Sequence, residues 1–280
     1  MNANESLPFF DFNVHLPTTG DEGTQQLIDQ ERTMSAEAYA ARIQEFHNSC
    51  VPQCRGANFM IFNESLIRDL SALEFLGKAA SQTKNESSLT LLLDFRSEQA
   101  LKAVESIRDY GFFGIKFHAY VQQITDADHP RIQELSKRAQ QNGLSILIDT
   151  SFGGPDMYRC DNLKLSIAIC NVVDRSPVIL LHSGGARVLE AMLLAETYPN
   201  VYLDTSFSLN YYEHSSVEKD MAFAYRKIGT HRVLYGSDQP YVSSQEAHAA
   251  TSRFIERFDF SIKDARNIFL QSSQNLLERQ

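Results

Sequence analysis

The chain has 280 residues, of which 43% are hydrophobic and 22% are charged, a composition typical of a globular protein. Lys and Arg number 26 and Asp and Glu 35, so the formal net charge is −9. Because the sequence has no basic cluster, this balance excludes an ordinary nucleic-acid binder and disfavours attraction to an anionic membrane surface. No apolar run approaches the roughly 18 residues that a membrane span needs.

The N-terminal segment and the cysteines indicate where the protein works. Met1–Ser6 has neither the basic region nor the apolar region of a signal peptide. Four cysteines are too few for a disulfide framework in a chain of this length. Cys50 and Cys54 are spaced loosely for a zinc knuckle, and no second pair follows closely. We therefore expect reduced thiols and a cytoplasmic location.

Short apolar runs alternate with helical patterns along the whole chain. Each run is rich in Val, Ile, Leu and Phe and is bounded by polar residues or Gly, which predicts a buried strand. The eight predicted strands are Phe9–Leu16, Ala57–Phe62, Leu89–Phe95, Phe113–Tyr120, Leu144–Thr150, Val178–His182, Val201–Phe207 and Arg232–Gly236.

The stretches between these strands have the spacing of amphipathic helices. The clearest predicted helices are Ser35–Ser49, Ser97–Tyr110, Arg131–Asn142, Gly185–Tyr198 and Ser261–Glu278. Strands joined by helical crossovers predict a parallel sheet, and this length suits a (β/α)8 TIM barrel. A doubly wound sheet is the alternative, but Pro17–Gly20 lacks its Gly-rich first turn. No linker divides the chain, so residues 1–280 are predicted to form one domain.

Four long connections all follow predicted strands. They are Pro17–Met34, Val121–Pro130, Phe152–Asp161 and Ser208–Ser216. In a barrel these connections lie at the C-terminal face, where barrel enzymes keep their active sites. The connections from helix to strand are shorter, and this asymmetry favours a functional C-terminal face.

Polar side chains occur near the C-terminal ends of six predicted strands, where burial requires a partner or a ligand. They are Asp11, Asn13 and His15, then Lys116, His118 and Tyr120, then Asp149, His182, Asp204 and Ser206, and Asp238. Alternation along a strand places the members of each set on one face. Singly, a buried imidazole or a carboxylate that braces the rim explains some of them. Jointly, they predict a cluster neutralised by mutual pairing or by a divalent metal.

Five short motifs resemble the strand signatures of the amidohydrolase superfamily, in the same order and across nearly the whole chain. They are Asp11-x-Asn13-x-His15, a variant of the D-x-H-x-H entry motif, and Gly114–His118, Leu181–Gly185, Asn200–Ser206 and Tyr235–Pro240. The closest branch is the amidohydrolase-related group of metal-dependent hydrolases and non-oxidative decarboxylases. Ile268–Leu276 looks like the final helix of that group.

The resemblance implies one divalent metal, Zn or Mn, with the ligands Asn13, His15, Asp149 and Asp238. Asn13 and Asp149 depart from the family pattern, because each stands where a histidine is expected. The resulting ligand set is richer in oxygen, which favours a harder ion or weak binding. Lys116 adds two alternatives, a carboxylated lysine that bridges two metals or direct pairing with Asp149 in a metal-free site.

On this basis the sequence predicts a metal-dependent hydrolase of a small amide, lactone or ester, with His182 and Asp238 as catalytic residues. Lys116, His118 and Arg96 are the predicted substrate-binding residues. The alternatives are a non-oxidative decarboxylase of the same family and a metal-free barrel with a binding or scaffold role. The expected partner is a small molecule, with neither nucleic acid nor membrane, and the resemblance adds a homodimer as a further expectation.

Overall fold

The computed structural model describes residues 7–17, 24–151 and 155–278. Within these residues, eight strands pair in sequential order, each parallel to the next. The strands are β1 (Phe9–Val14), β2 (Cys54–Ile61), β3 (Glu86–Leu92), β4 (Phe112–His118), β5 (Ser145–Asp149), β6 (Val178–Leu181), β7 (Val201–Asp204) and β8 (Val233–Leu234).

The sheet closes through the residues that follow β8. Val14 forms a parallel bridge with Gln239, and the backbone N–H of Asp238 donates to the carbonyl of Asn13 at 2.9 Å. All eight predicted strands are therefore present, and the predicted (β/α)8 TIM barrel is confirmed. The strands β7 and β8 end earlier than predicted, and beyond β8 the Tyr235 N–H donates to the Ile268 carbonyl at 2.9 Å.

Helices surround the barrel and connect its strands. They are α1 (Thr24–Glu31), α2 (Ala36–Ser49), α3 (Leu70–Ser81), α4 (Ala100–Ser106), α5 (His129–Gln141), α6 (Asp156–Arg159), α7 (Asn162–Cys170), α8 (Val188–Thr197), α9 (Ser208–Tyr211), α10 (Ser216–Ile228), α11 (Ser244–Arg257), α12 (Ile262–Arg266) and α13 (Ser272–Glu278). Ser35 caps α2 by accepting from the Ala38 N–H at 3.3 Å. The predicted C-terminal helix is divided by a π-helical turn, Asn267–Gln271.

Three predicted segments extend beyond what the structure describes. Met1–Ser6 lies outside the described residues, as do residues 18–23 of the connection Pro17–Met34 and residues 152–154 of Phe152–Asp161. All four cysteines are free thiols. Among the described helices, none combines the length and the apolar content that crossing a bilayer requires.

Apolar side chains pack in two layers. The inner cluster is built from strand residues, with Leu276 of α13, and comprises Phe10, Phe12, Met60, Phe113, Leu147, Ile179, Leu181, Tyr202, Leu234 and Leu276. Phe12 and Phe113 pack edge to face with ring centroids 5.4 Å apart. A larger cluster lies between the strands and the helices. The inner cluster fills the barrel, so the polar residues further along the strands are held at its C-terminal end.

Candidate active site

A cavity of about 250 Å³ lies at the C-terminal ends of the strands. Its polar wall contains His15, His118, Asp149, Ser151, His182 and Asp238. Its apolar wall contains Leu27, Ile28, Phe62, Tyr120, Phe207, Pro240 and Tyr241. The polar residues of the cavity come from the ends of five strands, β1, β4, β5, β6 and β8, whereas Asp204 and Ser206, predicted for the same cluster, do not line it.

A buried glutamate holds His15, which follows β1 directly. His15 Nδ1 lies 2.7 Å from Glu31 Oε2, and Glu31 Oε1 accepts from the Leu16 N–H at 2.5 Å. Glu31 is the last residue of α1 and is fully buried. Because Nδ1 is engaged, Nε2 is the nitrogen that faces the site, 3.5 Å from Lys116 Nζ and 3.9 Å from Asp238 Oδ1.

Glu31 is not among the site residues that the sequence motifs predict. Its signal was the helical spacing, because Glu31 follows Leu27 by four residues and Ile28 by three. Both are buried, so Glu31 shares the apolar face of α1, where a carboxylate needs a partner.

The Asp149 carboxylate is the centre of the polar cluster. Its Oδ2 lies 3.2 Å from His182 Nε2, 3.3 Å from His118 Nε2 and 3.5 Å from Lys116 Nζ. Burial alone raises the pKa of Asp149, but His118, His182 and Lys116 together hold it well below its ordinary value. Asp149 is therefore ionised at neutral pH and attracts positive charge to this wall of the cavity.

The two histidines that contact Asp149 differ in protonation. Burial opposes the charged form of His182, but Asp149, Asp238 and Asp204 overcome it and raise the pKa of His182 to about 10. Burial, together with the nearby positive charges, lowers the pKa of His118 to about 3. At neutral pH, His182 is thus an imidazolium and His118 a neutral imidazole.

Asp238 follows β8, and one of its carboxylate oxygens has no partner in the part of the chain that the structure describes. Its Oδ1 accepts from Asn13 Nδ2 at 3.1 Å, and the same Nδ2 lies 3.0 Å from Ser206 Oγ. Among the described residues, Asp238 Oδ2 has no hydrogen-bond partner. Burial raises the pKa of Asp238, and His182, among other positive groups, offsets part of this rise. The ionised carboxylate is therefore a stronger base than an exposed one.

Backbone strain is concentrated beside these two predicted catalytic residues. His182 has a φ of 66°, Ser183 of 53° and Asp238 of 62°. Residues other than Gly rarely adopt this left-handed conformation, which persists where the surrounding structure imposes it. The ends of β6 and β8 are thus shaped to aim His182 and Asp238 into the cavity.

The structure separates Asp11 from the site. The register of β1 against β2 shifts between Asp11 and Val14. Asp11 is buried, and its Oδ1 accepts from the Ser237 N–H at 2.8 Å rather than lining the cavity. The regular alternation predicted for Asp11, Asn13 and His15 is interrupted by this irregularity.

Arg96 also lies apart from the cavity. Its guanidinium donates to the carbonyls of Gln122 at 2.8 Å and Gln123 at 3.2 Å, and to Asp128 Oδ2 at 2.9 Å. The side chain is 48% exposed. The structure therefore does not join Arg96 to the predicted substrate-binding residues, because its donors are used to hold the connection after β4.

Comparison with known proteins identifies the family. A family model described as amidohydrolase matches residues 88–270, which is well over half of the chain. The chain therefore belongs to the amidohydrolase family, as the strand motifs predict. A search of curated proteins found no significant match.

Solved structures with the same fold include proteins with different activities. An uncharacterised TIM-barrel protein from Bordetella bronchiseptica is 16% identical, with a TM-score of 0.71 over 98% of this chain and 99% of the other. A dihydroxybenzoic acid decarboxylase from Polaromonas sp. JS666, solved with bound manganese and 2-nitroresorcinol, is 14% identical, with a TM-score of 0.64 over 97% of each chain. A Pseudomonas putida protein, provisionally assigned as a 2-pyrone-4,6-dicarboxylic acid hydrolase, is 14% identical, with a TM-score of 0.63 over 97% of this chain and 98% of the other. At these identities the likeness shows the shared fold.

The residues present do not fit the divalent metal that the family implies. Of the predicted ligands, His15, Asp149 and Asp238 reach the cavity, but Asn13 turns its Nδ2 donor towards Asp238. Lys116 Nζ lies between two of these ligands, 3.5 Å from His15 Nε2 and 3.5 Å from Asp149 Oδ2. In the part of the chain that the structure describes, no group of three or more His, Cys, Asp or Glu side chains is arranged to hold a metal ion.

Proposed function

We propose that this amidohydrolase-family enzyme hydrolyses a small lactone, ester or amide, with Asp238 as the general base. The observation that supports this most strongly is the state of the Asp238 carboxylate. Asn13 fixes one oxygen, the other has no partner among the described residues, and burial raises its pKa. A general base needs a free oxygen, a fixed orientation and a raised basicity, and Asp238 combines the three.

His182 provides the complementary positive charge. Its pKa of about 10 keeps the imidazolium form at neutral pH, and its side chain lines the same cavity as Asp238. A fixed cation in a site with little water stabilises the oxyanion that develops on an attacked carbonyl. Asp149, 3.2 Å from His182 Nε2, keeps this charge in place.

The proposed reaction balances with these groups alone. Water gives a proton to Asp238 Oδ2 as its oxygen bonds to the carbonyl carbon, and the carbonyl electrons move to an oxyanion beside His182. The oxyanion then collapses, the bond to the leaving oxygen or nitrogen breaks, and Asp238 returns the proton to the leaving group. No step passes through a metal ion.

The cavity limits the size and polarity of the substrate. Its volume of about 250 Å³ admits a small molecule. Aromatic and aliphatic side chains, including Phe62, Phe207 and Tyr241, line the cavity beside the polar groups, and these three rings contact His15 or His182. We therefore expect a compact, largely apolar acyl group, with its carbonyl directed at the charged residues.

A panel of small lactones, esters, amides and hydroxybenzoates tests the proposal. We expect the wild type to hydrolyse a member of the first three classes and D238N to lose at least about 100-fold in kcat. D109N is the control, because Asp109 is exposed on the turn before β4. Equal activity of the wild type and D238N on a hydrolysed substrate would remove Asp238 from its role. Release of CO₂ from a hydroxybenzoate without hydrolysis of any panel member would favour the decarboxylase instead.

A further inference from the structure

We propose that the Lys116 ammonium is the built-in cation of this site, and that it occupies the space between His15 and Asp149 so that no divalent ion binds there. This inference concerns the identity of the cation in the site. Metal binding is measured without any substrate, so only the activity measurements rest on the proposed function.

The first argument is the position of the ammonium. Lys116 lies on β4, paired with Leu92 of β3 and Leu147 of β5, so its backbone cannot shift without breaking two ladders. Its side chain is fully buried, and Nζ lies 5.3 Å from the centre of the Phe62 ring. Lysine normally extends its charged end to water. A lysine enclosed in this way holds its charge inside the site.

The second argument is the chemistry of the two groups nearest to Nζ. His15 Nε2 and Asp149 Oδ2 each lie 3.5 Å from it. The imidazole lone pair and the carboxylate oxygen are the donor atoms that the family resemblance assigns to a metal. Both atoms lie next to the Lys116 ammonium. This group already supplies the positive charge that an imidazole lone pair and a carboxylate oxygen attract.

The third observation concerns the contacts that Asp149 and Asn13 already make. Asp149 Oδ2 has His118 and His182 as further neighbours, at 3.3 Å and 3.2 Å. Asn13 donates to Asp238 through Nδ2, and its buried Oδ1, which has no hydrogen-bond partner among the described residues, is a neutral oxygen that binds a divalent ion only weakly. An arriving ion would have to displace the contacts of Asp149 Oδ2 and would meet the charge of a fully buried ammonium.

The carboxylated form of Lys116, weighed from the sequence, fits this geometry poorly. Carboxylation would replace the ammonium with an anion beside the Asp149 carboxylate, whose Oδ2 is 3.5 Å from Nζ. Two buried anions at that distance repel each other unless metal ions separate them. The unmodified ammonium instead pairs with Asp149 directly.

Metal titration of the purified protein tests the inference. Wild type, K116M and K116R are freed of metal with a chelator, and MnCl₂ and ZnCl₂ are titrated by calorimetry, with metal content measured by plasma mass spectrometry. We expect no stoichiometric ion in the wild type or in K116R, which keeps the positive charge. We expect K116M to bind one ion at least about 100-fold more tightly, because Asp149 and His15 lose the cation between them.

Several results would overturn the inference. One ion bound per wild-type chain at micromolar concentration would show that Lys116 does not exclude metal. A folded K116M that gains no affinity would show the same. A carbamate signal in the ¹³C NMR spectrum of the intact wild type equilibrated with ¹³C-bicarbonate, absent in K116M, would show that Lys116 is carboxylated and is not the cation of the site. Should K116M fail to fold by circular dichroism, the wild-type titration decides alone. Absence of hydrolysis on every substrate would refute the proposed function and leave the titration result standing.

Discussion

Glu31 Oε2 lies 2.7 Å from His15 Nδ1, and this contact joins the end of α1 to the end of β1 inside the site. It fixes which imidazole nitrogen faces the cavity, because the engaged nitrogen cannot turn inward. Tyr39 adds a second link, since its hydroxyl donates to the Glu31 carbonyl at 2.8 Å. The connection after β1 therefore contributes to the site through a residue outside the recognised motifs.

The first prediction concerns E31Q. Gln can accept from only one of the two donors that Glu31 serves, His15 and the Leu16 N–H, so His15 loses its fixed orientation. We expect kcat on the identified substrate to fall by about 10- to 100-fold, because His15 Nε2 lies 3.9 Å from Oδ1 of Asp238, the proposed base, and its movement would disturb that carboxylate. Steady-state kinetics measures this.

The control for E31Q is D29N on the same helix, because Asp29 is exposed. We expect D29N to keep wild-type kcat. An E31Q enzyme with unchanged kcat and an unchanged melting temperature would show that His15 does not depend on Glu31.

The second prediction concerns G236A, between β8 and Asp238. A Cβ at Gly236 would lie 2.8 Å from Asp204 Oδ2 and 3.1 Å from both Asn13 Cβ and Ser206 Cβ. All of these neighbours are buried, so the steric clash can be relieved only if residues of the site move. We expect a loss of about 1–3 kcal/mol in the free energy of unfolding, measured in urea, and a lower kcat.

G143A is the control for G236A, because it strains the backbone without crowding the site. Gly143 follows α5 with a φ of +72°, and of the described residues only Arg108, through Nε at 4.0 Å, would come into contact range of an added Cβ. It should therefore lose stability through the backbone alone, by about 1 kcal/mol, and keep kcat. Equal kcat in G236A and G143A would contradict the crowding argument.

The barrel and most of the site could be predicted from the sequence because their signals are local. His182 and Asp238 were found as polar residues at the ends of apolar runs, in motifs whose order matches the family. The pairing of Lys116 with Asp149, one of the two alternatives that the sequence leaves open for this lysine, is present at 3.5 Å. Because all strands of a parallel barrel end at the same face, the barrel topology alone brings the residues at those ends close together.

The parts that escaped prediction depend on contacts made through irregular backbone. Asp11 lies outside the cavity because the register of β1 shifts after it, and the spacing of the neighbouring residues in the sequence does not indicate that shift. Arg96 is predicted to bind substrate, but its hydrogen-bond partners lie in the connection around Gln122 and Asp128. The conformation of that connection cannot be predicted from hydrophobic periodicity. Glu31 reaches the site because α1 lies within the long connection after β1, and the sequence motifs do not include that connection.

The third prediction is a pH dependence that arises from Asp204. Burial raises the pKa of Asp204 to about 6, while His182 and Ser206 offset part of the effect. A carboxyl whose pKa is higher in the folded state favours folding when protonated. This contribution is greatest below the unfolded pKa near 4 and is lost as the pH rises through about 6.

D204N should remove this dependence, because Asn stays neutral and its oxygen can still accept from Ser206 Oγ, as Asp204 Oδ1 does at 2.7 Å. We expect the difference in unfolding free energy, D204N minus wild type, to rise by about 2 kcal/mol between pH 4.5 and 7.5. Urea denaturation at several pH values measures it. A difference that stays constant with pH would show that Asp204 ionises equally in both states.

The fourth prediction separates the observed role of Arg96 from its predicted one. In R96A, the carbonyls of Gln122 and Gln123 lose a donor and Asp128 loses an ion pair that is partly exposed. We expect a loss of about 0.5–1.5 kcal/mol in unfolding free energy and a KM within about twofold of wild type. K102A, which removes an exposed charge from α4, serves as the control and should change neither quantity. A KM at least about tenfold higher in R96A, with little change in stability, would return Arg96 to the substrate.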